Sequence, residues 1–363
     1  MRLPFRIPPE SLCLLRLSAL GDVTHVVPIV RTLQTHWSQT RLTWIIGRRE
    51  AELVGDLPGV EFITFNKSAG WDAYRELRTH LRARHFDTLL NLQVSLRANL
   101  ASLNVKAPVR LGFDRARSKD AHGLFINARI PATHGQHVLD SFFSFLEALG
   151  LRKRELRWDI PIPARDHALA EQQVAAKKQV LVISPCSSHV LRNWRADRYA
   201  QVADHAIERW GMRVLLCGGA TIGERRYGDA IARHMRHAPV DLIGKTTLKQ
   251  LLALLARARV LISPDSGPAH MATSVNLPVI GLYAATNPKR ACPYLSRQWC
   301  VDKYDVAARH YRGKPASELV WGTKLEYPGV MDLIEVGEVV ERLDALMSHA
   351  HARPRNDYLE DRV

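Results

Sequence analysis

The chain has 363 residues, of which 46% are hydrophobic and 24% charged, a composition typical of a soluble globular protein rather than a disordered or membrane-spanning one. This length is too great for one ordinary hydrophobic core and predicts two domains. The formal net charge of +15 favours acidic partners, namely phosphorylated substrates, anionic membrane surfaces or nucleic acid.

The first half of the chain alternates strand and helix patterns. We predict strands at 12–17, 42–46, 61–65 and 88–92, and helices at 23–36, 74–84, 96–103 and 138–149. Such alternation predicts a parallel, doubly wound sheet with helices on both faces.

The second half repeats this architecture after a boundary at about residues 150–178, where 159–163 has the composition of an extended linker. We predict strands at 180–184, 213–217, 242–244, 260–263 and 279–283, and helices at 196–210, 219–237, 248–256, 271–275 and 332–347. Residues 284–330, rich in proline and aromatic side chains, give no clear prediction.

Polar residues follow the first predicted strand in the sequence Ser18-Ala-Leu-Gly-Asp22. Ligands of doubly wound sheets bind at the carboxyl ends of the strands, so Asp22 is a candidate general base for a hydroxyl proton. Aspartate is also a common N-cap, and the local sequence leaves both interpretations open.

A second candidate loop follows the strand at 180–184. Ser187 and Ser188 offer hydroxyl groups at a strand end, and Arg192 offers a guanidinium fork suited to phosphate oxygens. The alternative for Arg192 is an ordinary solvated arginine.

The third loop is Asp265-Ser-Gly-Pro-Ala-His270, which follows the apolar strand at 260–263. A strand, a tight turn at Gly267 and a helix would direct backbone N–H groups and a helix N-terminus at one anion. His270 could donate to the same anion, so the loop is a candidate diphosphate cradle. Asp265 could also simply cap the helix.

The sequence gives little evidence for other kinds of catalytic, cofactor-binding or metal-binding site. There is no Walker A, HExxH or GxSxG motif, the pair Gly218-Gly219 before Glu224 is weak evidence, and the histidines lack ligand spacing. The five cysteines form neither a disulfide framework nor a CxxC pair, and the N-terminus has no long apolar region. We therefore expect no metal site and a cytoplasmic protein.

The segments Arg16–Pro28, Ser187–Trp194 and Pro264–His270, taken together, resemble glycosyltransferase family 9, the bacterial lipopolysaccharide heptosyltransferases. The resemblance covers residues 11–290 and the final helix. It implies a GT-B fold, in which two doubly wound Rossmann-like domains face each other across a cleft. We assign an acceptor-binding domain to 1–160 and a nucleotide-sugar-binding domain to 161–330, with a C-terminal helix and tail at 331–363, the helix packing back toward the N-terminal domain.

The resemblance also implies a reaction, an inverting and metal-independent transfer of heptose from ADP-heptose to an inner-core sugar. ADP-heptose is a substrate there, so no cofactor is expected. Asp22 matches the family's presumed base. The matches to donor-binding positions are Ser187, Ser188, Asp265, Ser266, Gly267 and His270, with Arg192 where the family often has lysine and with Glu224 and Thr246 near positions used for ribose and base.

The expected partners are the nucleotide sugar, a lipopolysaccharide-core or lipid A-type acceptor, and the anionic cytoplasmic face of the inner membrane, without nucleic acid. From Arg75 to Arg117 the chain has nine Lys or Arg against three acidic residues, a local excess that suits such partners. The alternatives are a GT-B transferase with another nucleotide sugar, a nucleotide-sugar epimerase, and a non-enzymatic nucleic-acid or membrane-surface binder. The segment 283–329, longer than the minimal family pattern, could select the sugar.

Overall fold

The computed structural model describes residues 3–174 and 178–352. Of the predicted C-terminal tail, 349–363, residues 353–363 lie outside the described residues. The chain forms two compact units, Met1–Pro161 and Ile162–Val363.

The first unit is built on a six-stranded sheet. Its strands are β1 (Ser11–Leu15), β2 (Arg41–Gly47), β3 (Val60–Phe65), β4 (Thr88–Asn91), β5 (Val109–Gly112) and β6 (Ala128–Arg129). Its helices are α1 (Leu20–His36), α2 (Arg48–Val54), α3 (Trp71–Leu81), α4 (Leu96–Ser102) and α5 (Val138–Leu149). The strand order is β3-β2-β1-β4-β5-β6, and all neighbouring strands are parallel.

The second unit has its own six-stranded parallel sheet, in the order β12-β11-β10-β7-β8-β9. Its strands are β7 (Val180–Ile183), β8 (Arg213–Gly218), β9 (Val240–Ile243), β10 (Val260–Pro264), β11 (Val279–Tyr283) and β12 (Val301–Asp302). Its helices are α6 (Ala164–Gln173), α7 (Ala196–Trp210), α8 (Ile222–His234), α9 (Leu248–Arg257), α10 (Gly267–Ser274), α11 (Pro288–Ala291), α12 (Tyr304–Arg312) and α13 (Val336–Ala352).

Both sheets use one topology. In each, the first strand of the unit is central, the next two lie on one side of it and the last three on the other. The central strands β1 and β7 are buried along their whole length, as expected for parallel strands covered by helices on both faces. The chain reverses its winding direction between β1 and β4 and between β7 and β10. These switch points are where open α/β sheets bind ligands at their carboxyl edge.

The alternating elements of the prediction are confirmed, but it did not include β5 or the helices α2 and α6. Strands β6 and β12 have two residues each, too few for any periodicity to reveal. Helix α10 begins at Gly267 rather than at residue 271, because Pro268 is accommodated in its first turn. The segment 284–330, left without a prediction, contains α11, β12 and α12.

The last helix, α13, contacts α7, β11 and β12, and its apolar side chains Val339, Leu343 and Leu346 belong to the core of the second unit. Its predicted approach to the N-terminal domain stays a prediction. Over the described residues, none of the helices combines the length and the apolar composition that crossing a bilayer requires.

Candidate active site

At the switch point of the second unit, the loops after β7 and β10 are hydrogen-bonded to each other. Ser187 Oγ donates to the carbonyl oxygen of Asp265 at 2.7 Å, and the Ser187 N–H donates to Asn193 Oδ1 at 2.7 Å. Below them, Ser263 Oγ lies 2.9 Å from the Ser184 carbonyl oxygen, to which it donates. The two predicted donor loops are therefore joined directly by a hydrogen bond.

A cluster of charged side chains lies beside these loops, with Arg192 at its centre. Arg192 is 8% exposed, and its Nε and Nη2 donate to Glu326 Oε1 at 2.8 and 2.6 Å. Its Nη1 lies 3.8 Å from Asp265 Oδ2. The guanidinium is thus held between two carboxylates, and the interpretation of Arg192 as a solvated arginine is wrong.

His270 completes the cluster on the far side of Asp265. Its Nε2 lies 3.7 Å from Asp265 Oδ1, and its side chain is 9% exposed. Burial tends to raise the pKa of the Asp265 carboxyl, but His270 and Arg192 outweigh burial and hold that pKa below its ordinary value of 3.8. A hydrogen bond from Thr286 acts in the same direction. Asp265 is therefore a stable carboxylate that positions two basic side chains.

Two residues of the cluster, Lys324 and Glu326, were missed by the sequence analysis. Lys324 is exposed to solvent, but partial desolvation lowers its pKa and the nearby Arg192 lowers it further. Partial burial tends to raise the pKa of Glu326, but the hydrogen bond from Arg192 and the charges of His189 and Lys324 hold it below its ordinary 4.5. The cluster thus combines several basic groups with two ionised carboxylates, a setting that can bind a phosphate without leaving either carboxylate unpaired.

The segment that carries Lys324 and Glu326 is anchored through the residue between them. Leu325 is fully buried, and its N–H donates to the Ala285 carbonyl oxygen at 2.8 Å. Tyr304 Oη donates to the Thr323 carbonyl oxygen at 2.8 Å. The signal that the sequence offered for this segment was an apolar residue, Leu325, between two charged ones.

The helix-cap interpretation of Asp265 is wrong. The N-cap of α10 is Ser266, whose hydroxyl hydrogen-bonds Ser263 Oγ at 2.7 Å instead of capping the helix by its side chain. Gly267 is the first residue of α10. Ser188, in the facing loop, is exposed. The first turn of α10 therefore begins beside the charged cluster, and the diphosphate cradle stays a prediction.

Glu224 and Thr246 follow β8 and β9 at the same carboxyl edge. The Glu224 carboxylate accepts the Gly219 N–H at 2.5 Å, so it is partly used within its own turn. Burial and, to a smaller extent, the Glu224 carboxylate raise the pKa of Cys186 to about 12, which places Glu224 near the β7 loop. Thr246 is half-buried and precedes the N-cap of α9.

In the first unit, Asp22 lies at the switch point between β1 and β4. Its Oδ2 accepts from the Arg16 guanidinium and, at 3.4 Å, from the Ala19 N–H. Arg16 Nη1 also donates to the Leu92 carbonyl oxygen at 2.5 Å, so the arginine ties the carboxylate to the end of β4. The Asp22 side chain is 28% exposed, and within the described chain all its hydrogen bonds use Oδ2. Oδ1 is thus available to accept a proton.

The interpretation of Asp22 as the N-cap of a helix is wrong, because another residue occupies that position. Ala19 is the N-cap of α1, and Asp22 is the third helical residue. The loop is held instead by Gln93, whose Oε1 accepts the N–H groups of Leu17 and Ser18 at 2.8 and 3.2 Å. Gln93, missed by the sequence analysis, joins the β1 and β4 loops as Ser187 joins those of the second unit.

The basic segment 75–117 divides into structural and exposed members. Arg110 donates to the carbonyl oxygens of Val105, Phe125 and Ser102 at 2.7 to 2.9 Å, and Arg117 pairs with the buried Asp114. Six of the nine are exposed, namely Arg75, Arg78, Arg82, Arg97, Lys106 and Arg115. Because part of the charge stabilises the fold, the count from sequence overstated the basic surface.

No group of three or more His, Cys, Asp or Glu side chains within residues 3–174 and 178–352 is arranged to hold a metal ion.

Comparison with known proteins shows which family the chain resembles. Residues 74–321 match the family described as glycosyltransferase family 9 (heptosyltransferase). The lipopolysaccharide core heptosyltransferase OpsX of Haemophilus influenzae is 39% identical over 342 residues, which cover 94% of this chain and 98% of the relative.

Solved structures agree at the level of the fold. A family 9 glycosyl transferase from Veillonella parvula matches with a TM-score of 0.78 and 20% identity, covering 95% of this chain and 99% of its own. The E. coli heptosyltransferase WaaC, solved with ADP, matches with a TM-score of 0.67 and 16% identity, covering 93% and 99% of the two chains. The predicted α/β class and GT-B fold are confirmed.

Proposed function

The chain belongs to glycosyltransferase family 9, the heptosyltransferases, as its three motifs predicted, and from that membership we propose that it moves a heptose from ADP-heptose to a sugar of the lipopolysaccharide inner core. The proposed transfer is inverting and needs no metal ion, and ADP-heptose is a substrate rather than a cofactor. The name of the Haemophilus influenzae relative supports the acceptor, and the ADP held by the E. coli enzyme supports the nucleotide.

The observation that carries this proposal is the charged cluster at the β7–β10 switch point. The diphosphate of ADP gains negative charge as the bond to the sugar breaks. Arg192, Lys324 and His270 would stabilise that charge, together with the N-terminus of α10. One positioned donor of this kind lowers the barrier by about 3 kcal/mol.

The remaining donor residues have distinct proposed roles. Ser188, Ser266 and Gly267 would offer hydroxyl or backbone N–H groups to phosphate oxygens. Ser187 and Asp265 hold the loop and orient its basic side chains, since the hydrogen bond between them and the contacts of Asp265 with Arg192 and His270 lie within the site. Glu224 and Thr246, at the ends of β8 and β9, would contact the ribose and base.

Asp22 is the proposed general base. Its Oδ1 would take the proton of the acceptor hydroxyl while the acceptor oxygen bonds to the anomeric carbon and ADP leaves with the bonding electrons. Arg16 holds the carboxylate at the end of β1 through Oδ2. A single displacement of this kind inverts the anomeric configuration, and positioned proton transfer contributes about 10² to 10⁴-fold.

The proposal also covers the acceptor and the cellular location of the enzyme. The exposed basic residues of the first unit suit the phosphates and acidic sugars of a lipid A-type acceptor. We place the enzyme at the cytoplasmic face of the inner membrane, without a nucleic-acid partner.

The test is a transfer assay with ADP-heptose and a lipid A-type acceptor that lacks heptose. The expected product carries one added heptose, has the anomeric configuration opposite to that of the donor by NMR, and forms equally in EDTA. In parallel, ADP should raise the unfolding temperature more than UDP or GDP does. Transfer from a UDP- or GDP-sugar, with no stabilisation by ADP, would show a different donor.

A further inference from the structure

Three large apolar side chains are exposed at neighbouring helix starts and loops of the first unit. Trp71 begins α3, Leu96 begins α4, and Leu124 lies in the loop between β5 and β6. Their exposed fractions are 72%, 55% and 85%. Exposing an indole and two leucines to water is unfavourable, so a shared location for them calls for an explanation.

Direct contacts connect the three positions. The Trp71 and Tyr74 rings lie 5.4 Å apart, and Tyr74 Oη donates to the Arg97 carbonyl oxygen at 3.5 Å. The Leu96 N–H donates to Asp120 Oδ2 at 3.2 Å, which joins the start of α4 to the loop that carries Leu124.

That loop also borders an open cavity of about 340 Å³. The lining includes Lys119, Leu124 and Arg129. The three apolar side chains therefore belong to segments of the first unit that contact one another.

Basic side chains surround these apolar ones. Arg75, Arg97, Lys119 and Arg129 are all exposed. On α3, Trp71 shares its outward face with Arg75 and Arg78, at positions i, i+4 and i+7.

Two carboxylates also lie among these apolar and basic side chains. Asp72 pairs with Arg75 at 2.9 Å, and Asp120 accepts the Leu96 N–H. The positive charge exceeds the negative charge around the three apolar side chains.

We propose that this docking surface, formed by Trp71, Leu96 and Leu124 with Arg75, Arg97, Lys119 and Arg129, binds an anionic lipid bilayer. A bilayer offers both required environments, because its headgroups attract Lys and Arg while its interface takes up Trp and Leu. Nucleic acid would satisfy the charges but would leave the leucines in water.

The position of the docking surface would bring a membrane-bound acceptor close to the proposed base, an inference that rests on the proposed function. Ser95, the N-cap of α4, is joined by Gln93 to Ser18 in the loop that holds Asp22. The surface therefore adjoins the proposed base within one unit. A lipid-linked acceptor anchored in the bilayer would present its sugars beside Asp22.

The experiment is co-sedimentation of the full chain with vesicles of phosphatidylethanolamine and phosphatidylglycerol, compared with vesicles of phosphatidylcholine alone. The wild type should bind the anionic vesicles, and less so as salt rises. The triple variant Trp71→Ser, Leu96→Ser, Leu124→Ser should lose about tenfold in partitioning, because burial of these side chains is lost.

A matched control exists in the second unit. Ile222, Val306 and Val320 are 73%, 48% and 82% exposed, and their replacement by serine should leave partitioning unchanged. The charge variant Arg97→Gln, Lys119→Gln should reduce partitioning roughly 30-fold, since each basic residue near an anionic surface contributes about 1 kcal/mol. Arg226→Gln with Lys314→Gln is its control, and the unfolding temperature of each variant, measured by calorimetry, reports whether both units remain folded.

Any one of three results would overturn the docking surface. The triple variant could bind as well as the wild type, the wild type could bind neutral vesicles as well as anionic ones, or it could bind duplex DNA more tightly than anionic vesicles. The two proposals can fail separately. If the protein transfers heptose to a water-soluble acceptor but does not bind vesicles, the docking surface alone is refuted. If it binds vesicles but transfers no heptose, the proposed function alone is refuted.

Discussion

The two switch points of this protein occupy the same place in two sheets of the same topology, yet their chemistry differs. Between β1 and β4, one carboxylate, Asp22, is held by one arginine. Between β7 and β10, one arginine, Arg192, is held by two carboxylates, with His270 and Lys324 nearby. In our proposal, the shared topology places both ligands at the switch points, and the different loops make one site suited to a proton and the other to a phosphate.

The largest expected effect separates the two sites. Asp22→Asn keeps the shape of the side chain but removes its basicity, so kcat should fall about a thousandfold. ADP affinity, measured by calorimetry, should be unchanged because the nucleotide is assigned to the second unit. Asp72→Asn, at an exposed carboxylate of α3, is the control. A variant at position 22 with near-normal kcat would remove the base assignment.

The second effect concerns stability and distinguishes the two units by pH. His122, in the first unit, accepts the Phe113 N–H at Nε2 and contacts Asn99 Oδ1 through Nδ1. Burial, reinforced by Arg129, lowers the pKa of His122 from 6.5 to about 4. The unfolded chain therefore binds this proton more readily than the folded chain, and stability is lost as pH falls from 6.5 to 4.

The expected loss by pH 4 is about 3 kcal/mol. Calorimetric unfolding should show it in the wild type, whereas His122→Gln should lack this pH dependence whatever its stability at neutral pH. In the second unit, the pKa values of Asp265 and Glu326 are held below their ordinary 3.8 and 4.5, so the stability that these carboxylates contribute is lost only as pH falls below about 4.5. An equal slope in the variant between pH 6.5 and 4 would contradict this account.

The third effect tests the cluster itself. Arg192→Ala should weaken ADP binding roughly 30-fold, the equivalent of about 2 kcal/mol for a charge-assisted contact. The second unit should also lose stability, since Glu326 and Asp265 would keep their charges without the guanidinium. Arg195→Ala, at a more exposed arginine paired with Asp197, should leave ADP affinity unchanged. Wild-type affinity in the Arg192 variant would count against the cradle.

The smallest effect refines the role of Glu326. Glu326→Gln keeps an oxygen that can accept from Arg192 but removes a negative charge beside the proposed diphosphate site. We expect ADP to bind about threefold more tightly, within the range of a partly exposed ion pair. Weaker binding would show that the carboxylate orients Arg192 in a way that an amide does not reproduce.

The sequence predicted the alternating strands and helices because each has apolar residues at a regular period, and it predicted both switch-point loops because they directly follow strands. It did not predict Glu326, which lies 134 residues from Arg192 in a segment without periodicity. It also assigned Asp22 and Asp265 to helix caps as alternatives. Capping depends on where the first helical turn begins, which backbone geometry decides within one or two residues.

The Arg192–Glu326 contact has an evolutionary consequence. Two nitrogens of the guanidinium share one carboxylate oxygen while the third faces Asp265, a geometry that a lysine ammonium does not reproduce. Positions 192 and 326 should therefore covary. Homologues with lysine at the position of Arg192 should carry a neutral residue at that of Glu326, and those that keep the arginine should keep the acid.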